Sequence, residues 1–307
     1  MPNTDSFHAT PPLDYYYKDG YQVMNPFCRI ISEAPQYRYA LEYRDGPYTG
    51  DKSNPWTVLA DSVTARILIA LKGNLRDGQW RMLGISDEQH RTVISGDAEA
   101  EYAEYAANMR KEGISLSGFS ETDLRDGNKK YARERLAALL KFLDEAKNAL
   151  ASRKHPEVSW VIRGDGPGMI DYMKTRGVDI PDVGTPARVC RSNVKWNTNQ
   201  FFSTSDRNEL ASLAGKDLVW LIRIKPETTK GRSGGMYTGE NEVLFPYDVS
   251  FTIDGCVSVS SIEQISGVDL TGFSDPGGLR KKLCQVYAAN RRRWTHGVVR
   301  FLLATEE

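Results

Sequence analysis

Gly239-Glu240-Asn241-Glu242-Val243-Leu244-Phe245-Pro246 is the stretch around which the chain is organised. A short apolar run follows the acids, and a proline closes it, as expected for a strand. Residues i and i+2 of a strand share a face, so Glu240 and Glu242 are expected side by side. The preceding segment, Lys230-Gly231-Arg232-Ser233-Gly234-Gly235-Met236-Tyr237-Thr238-Gly239, reads as a mobile loop carrying one aromatic, Tyr237. Paired acids at the mouth of a sheet, beside a flexible flap, suit a site that handles a cationic reaction centre. Taken alone, such a pair is usually just a solvated strand face.

Outward from this stretch the sequence is rich in strands. Upstream lie Val158–Ile162, Phe201–Ser205 and Leu218–Ile224, the last stopped by Pro226. The first is expected to end at Arg163-Gly164-Asp165-Gly166-Pro167-Gly168, with a short helix over Asp171–Arg176 and a loop or short strand over Thr185–Asn193. Downstream, Ser250–Ile253 and Val257–Ile262 read as two strands joined by a turn at Asp254-Gly255. Asp275-Pro276 caps a helix over Leu279–Asn290, and a strand over Val298–Leu303 follows.

The first half has a different character. Residues 14–60 read as loops and short elements. Asp61-Ser62 offers a cap to a helix carrying Val63, Ile67, Leu68, Leu71 and Leu75. Helical regions are expected to start at Ser86-Asp87-Glu88 and to run over Ala98–Lys111. Ser115–Gly127 is polar and turn-rich, and a long helix with Leu136, Leu139, Leu140, Leu143 and Leu150 on its apolar stripe is expected from Asn128. Helices first, then strands without βαβ alternation, define an α+β class. The organisation that follows is a disordered leader over 1–13, a mainly helical region over 14–120 and a catalytic domain over 121–307.

The 307 residues carry forty basic and forty acidic side chains, so nothing in the net charge points to nucleic acid or an anionic membrane. No apolar run approaches the roughly 18 residues needed to span a bilayer. The first thirteen residues lack an apolar core of the Sec signal type, which leaves a disordered leader or one for a specialised secretion system. Cys28, Cys190, Cys256 and Cys284 are far apart, and His8, His90, His155 and His296 show no ligand spacing. No metal site is expected, and free thiols in a reducing compartment fit best. Arg280-Lys281-Lys282 and Arg291-Arg292-Arg293-Trp294 read first as solvated or helix-terminal charge, and second as a surface for an acidic protein partner or RNA.

Three polar features end or interrupt the strands: Arg163 ends the first, Ser203-Thr204-Ser205 lies in the second, and the acids Glu240 and Glu242 begin a third, at intervals of about 40 residues. Their order resembles the mono-ADP-ribosyltransferases of the Arg-Ser-Glu class, which include bacterial toxins and arginine-specific ecto-enzymes. The matching stretches are Trp160-Val161-Ile162-Arg163-Gly164, Phe201-Phe202-Ser203-Thr204-Ser205 and Gly239 through Pro246. The resemblance covers about residues 125–265 and implies a mixed β-sandwich core. It also implies NAD as co-substrate, with Arg163 holding a phosphate or ribose and Gly164 leaving backbone groups open to the nicotinamide carboxamide. Ser203 would orient Glu242, and Glu242 would stabilise the cationic ribose as nicotinamide leaves. Glu240 and Tyr237 would engage the acceptor, a protein side chain, with arginine favoured by Glu at that position.

One departure from the family stands out. Asp206–Leu218 lacks the aromatic that often stacks on nicotinamide, leaving Phe202, Trp196 and Tyr172 as substitutes. Arg188, Arg191 and Lys195 are candidates for the diphosphate or ordinary surface charge. Two other functions compete: an NAD glycohydrolase with water as acceptor, and a non-catalytic effector that binds a partner. The family resemblance implies a secreted bacterial effector acting in a target-cell cytosol.

Overall fold

The computed structural model describes residues 10–33, 37–38, 41, 64, 66–71, 74–75, 79, 121–182, 188–216, 218–234, 241–294 and 298–307. The helices expected at 86–88 and 98–111, and the cap at 61–62, lie outside the described residues. The chain divides into two compact units, Met1–Ala149 and Leu150–Glu307.

In the first unit, α1 (Pro12–Tyr15) leads through a single π-helical turn, Tyr16–Gly20, into α2 (Tyr21–Glu33). A helix stands where loops were expected. Tyr and Pro composition obscured a helical stripe of Val23, Met24, Phe27, Cys28, Ile30 and Ile31, all buried. That buried stripe outweighs the hydrogen bond lost at Pro26, inside the helix. Ile67, Leu68 and Leu71 are helical and buried, as their spacing predicted. Helix α3 (Glu121–Ala151) starts seven residues before the expected Asn128 and takes in Gly127. A glycine inside a helix costs only about 1 kcal/mol relative to alanine, too little to end a long helix. Its leucines 136, 139, 140, 143 and 150 are buried, and Tyr15 packs edge-on against Phe142 at 5.4 Å.

The second unit is built on one eight-stranded mixed sheet in the order β2-β7-β8-β4-β1-β3-β6-β5. The strands are β1 (Trp160–Asp165), β2 (Arg188–Asn197), β3 (Phe202–Ser205), β4 (Leu218–Arg223), β5 (Arg232–Ser233), β6 (Glu242–Phe245), β7 (Ser250–Val259) and β8 (Val299–Glu306). Only β4 and β8 pair in parallel; the other neighbours are antiparallel. Helices α4 (Pro167–Thr175), α5 (Ile262–Gly267) and α6 (Pro276–Asn290) complete the unit. The Asp275 side chain accepts from Gly278 N, as the sequence predicted for the start of α6.

This ladder folds back on itself. In a flat sheet, β2 and β3 would be five steps of about 4.8 Å apart, or about 24 Å. Instead Trp196 of β2 meets Phe202 of β3 with ring centroids 5.3 Å apart, and Phe245 of β6 meets Phe251 of β7 at 5.3 Å. The β2–β7 end therefore lies over the β3–β6 end, and the rings between them form the inner core of a sandwich. A second core lies on the opposite face, where Ile162, Val219, Leu221, Phe301 and Leu303 receive α5 and α6.

Two expected strands are one. Asp254-Gly255 is not a turn but a bulge within β7, where the register slips between Ile253 and Gly255. A side chain at Gly255 would come within 2.3 Å of the Cys190 carbonyl oxygen, so the two backbones can approach only with glycine there.

Candidate active site

The site begins with the pairing of β3 and β6. Ser205 lies opposite Glu242, and Ser203 opposite Leu244. Strand alternation sends Phe202, Thr204, Val243 and Phe245 to one face and Ser203, Ser205, Glu242 and Leu244 to the other. Ser203 is thus the diagonal neighbour of Glu242 and donates its hydroxyl to Glu242 Oε1 at 2.5 Å. Both residues are half-buried. Thr204 Oγ1 ties the two strands from the other face, donating to the Val243 carbonyl at 2.7 Å.

Strand β1 brings the third group. It runs against β4 from Trp160 to Asp165 but registers with β3 only at Ile162↔Ser205. Continuing that register would set Gly164 opposite Ser203. There the guanidinium of Arg163 spans the two strands: Nη1 donates to the Ser203 carbonyl at 2.9 Å. Ser203 is the junction, with Arg163 on its carbonyl and Glu242 on its hydroxyl. The guanidinium also lies 4.6 Å from the centroid of the Phe202 ring. Arg163 does not end the first strand, as the sequence suggested, but lies inside it, because β4 pairs β1 as far as Asp165.

Gly164 has a different neighbourhood from the one expected. A Cβ there would lie 2.6 Å from Leu213 Cδ2 and 3.1 Å from Lys216 Cγ. The side where a Cβ would sit is therefore filled by the chain's own side chains.

Asn241 immediately precedes Glu242 and bends the chain ahead of β6. Asn241 has a φ of 45°, in the left-handed region that Asn tolerates better than most residues. Strand β6 begins at Glu242, directly after this bend. Glu240 and Tyr237 lie outside the described residues.

The candidate aromatics separate clearly. Phe202 and Trp196 are buried in the inner core, where Trp196 also packs on Trp220 at 5.1 Å. Tyr172 on α4 is part-exposed, with the Arg176 guanidinium 5.0 Å above its ring. Of the cations on β2, Arg188 pairs with Asp179 at 3.6 Å and Lys195 with Glu307 at 3.1 Å. Arg191 donates to the Thr271 carbonyl.

Several residues that hold the site were missed in the sequence. Asp165 takes Arg163 Nε and Nη2 on its two oxygens, at 2.9 and 3.0 Å. Asn290 of α6 secures the segment after β3, donating to the Asn208 carbonyl at 2.5 Å and accepting from Leu210 N at 3.2 Å. Lys282 donates to Asn208 Oδ1 at 2.6 Å, and burial pushes its ammonium below the ordinary lysine range while Asp206 opposes the shift. Arg280, from the basic run, donates to the Ser266 and Val268 carbonyls at 2.7 and 2.8 Å, closing the end of α5. Among the described residues, no group of three metal-binding side chains occurs and no helix is long and apolar enough to cross a membrane.

No protein-family model and no curated protein sequence matches the chain. Among solved structures it is similar to the C-terminal toxin domain of RHS2 from Yersinia entomophaga, at 14% identity over 72% of this chain and 99% of that one, with a TM-score of 0.38. It is similar to the ATR domain of Salmonella SpvB at 18% identity, over 66% of this chain and 82% of that one, with a TM-score of 0.36. It is also similar to C3larvin toxin, an ADP-ribosyltransferase from Paenibacillus larvae, at 13% identity over 75% of this chain and 94% of that one, with a TM-score of 0.30. ADP-ribosylating proteins recur among the similar structures.

Proposed function

We propose that residues 121–307 form an NAD-dependent mono-ADP-ribosyltransferase domain that modifies a protein side chain, with arginine as the acceptor. The observation that carries this reading is the hydrogen bond from Ser203 to Glu242 beside the Arg163 guanidinium, which joins residues distant in sequence at one point.

These groups suit a dinucleotide. Arg163 has five N–H groups, of which three bond to Asp165 and to the Ser203 carbonyl. One N–H therefore remains on each terminal nitrogen for a phosphate or ribose oxygen. The Glu242 carboxylate accepts from ribose hydroxyls and counters positive charge. The missing Cβ of Gly164 is a packing requirement, so only its backbone is left to serve the carboxamide.

NAD supplies a ribosyl carbon whose bond to nicotinamide is ready to break. Glu242 holds the ribose and stabilises the positive charge that grows there as that bond lengthens. Ser203 keeps the Glu242 carboxylate turned towards the ribose. Glu240, with Tyr237 in the preceding loop, engages the acceptor. An arginine nitrogen bonds to the ribosyl carbon, nicotinamide departs, and Glu240 takes the guanidinium proton as the new bond forms. Arginine hardly deprotonates at neutral pH, so the proton leaves during bond formation rather than before it. The chain then acts as a toxin or effector on a protein of a target-cell cytosol.

The test is nicotinamide release from NAD by wild type and Glu242→Ala, with labelled NAD in a cell lysate. Wild type should release nicotinamide and label protein, and Glu242→Ala should be slower by about 10²-fold or more, the scale of losing one preorganised electrostatic group. Equal release by the two proteins removes the catalytic assignment. Release without labelling makes water the acceptor.

A further inference from the structure

Arg163 is held on three sides by its own chain. Asp165, two residues away on the same face of β1, takes Nε and Nη2 in a fork at 2.9 and 3.0 Å. The Ser203 carbonyl takes Nη1 at 2.9 Å, and the Phe202 ring supports the guanidinium face at 4.6 Å. Asp165 is only 9% exposed, so its carboxylate could not be left without a charged partner except at high cost. A planar cation whose side edge is fixed by a fork has no freedom left to rotate about its own plane.

We infer that Asp165 is a positioning residue for dinucleotide binding: its fork fixes the Arg163 guanidinium so that the two remaining N–H groups, one on each terminal nitrogen, meet a phosphate or ribose oxygen of NAD. The inference rests on the proposed function. Electrostatics alone would assign Asp165 the opposite effect, since a carboxylate beside Arg163 lowers its attraction for an anion. The geometry favours orientation, because both oxygens engage the Nε–Nη2 edge of Arg163 and leave one N–H on each terminal nitrogen. Asparagine at 165 keeps the shape but offers one acceptor in place of two, and the fork is lost. Arg163 would bind NAD equally before and during the reaction, so misalignment should appear in affinity rather than in turnover.

The experiment is calorimetric titration of the full chain with NAD, together with steady-state nicotinamide release, for wild type and Asp165→Asn. The expected result is a Kd and a KM each raised about tenfold, with kcat within about threefold of wild type, as for losing a preorganised charged contact. Tighter binding would mean that Asp165 only screens Arg163, and unchanged binding that it only supports the fold; either overturns the inference, as does a fall in kcat at constant KM. If Asp165→Asn does not fold, Arg163→Lys takes its place. Lysine keeps the charge but cannot donate the planar fork to Asp165, and the same rise in Kd and KM is expected, while an unchanged Kd overturns the inference. A wild type that binds no NAD overturns the proposed function as well, which separates the two failures.

Discussion

An alanine at Gly164 would bring its methyl carbon to 2.6 Å from Leu213 Cδ2. Leu213 is fully buried in the outer core, so the contact can be relieved only by repacking its neighbours. Gly164→Ala is expected to lower stability by about 1–3 kcal/mol, the usual cost of overpacking. In a Leu213→Ala background the same substitution should cost much less, because the obstructing methyl is gone. Urea denaturation of the four proteins of this cycle checks it, and strict additivity would place the strain elsewhere. Chemistry and packing were unevenly legible at this scale. Arg163, Ser203 and Glu242 could be picked out by residue type and order, because each interrupts an apolar strand. Asp165 carried a signal that was overlooked: an acid two residues from an arginine shares its face if the strand continues. The left-handed turn at Asn241 was hidden, since Asn fits a strand position as readily as a bend when only its neighbours are known.

Helix α6 shows the same physics over longer separations. Asn290 is fully buried and uses its whole amide: Nδ2 donates to the Asn208 and Val286 carbonyls, and Oδ1 accepts from Leu210 N. Asn290→Ala would strand these groups of the segment after β3 without a partner. The expected loss is about 1–3 kcal/mol, the cost of leaving a buried polar group unsatisfied. A denaturation midpoint equal to that of wild type would show that water or a shifted loop replaces the bonds. Elements whose cause was local could be read directly. Strand β4 is apolar and ends before Pro226, and α6 begins at its Asp275 cap. The misreadings share a distant cause: β7 continues through Asp254-Gly255 because Cys190 and Leu303 on neighbouring strands pair with it. The buried stripe of α2 likewise outweighs Pro26 only once its face has something to pack against.

On the scale of the second unit, the inner aromatic core joins the two ends of one hydrogen-bonded ladder. Phe251 touches Trp196, Phe202 and Phe245 at centroid distances of 5.9, 6.0 and 5.3 Å. Phe202 in turn is the surface on which the Arg163 guanidinium lies. The closure of the sandwich and the placement of the site therefore share a residue. Strand patterns alone left this closure undetermined, since alternation says which residues share a face but not which faces meet. The sandwich was expected only from the family resemblance. Phe251→Ala should lower stability by about 3–5 kcal/mol, as for other large-to-small core substitutions. A double-mutant cycle with Phe245→Ala isolates the cross-sandwich contact from simple loss of apolar area. Rings in edge-on contact should show a coupling of about 0.5–1.5 kcal/mol beyond their burial. Additive losses would mean that each ring stabilises its own half of the ladder and that closure depends on other contacts. A measurable coupling would mean that the fold-back of the sheet, which sets Phe202 beneath Arg163, is maintained by rings from strands five ladder steps apart.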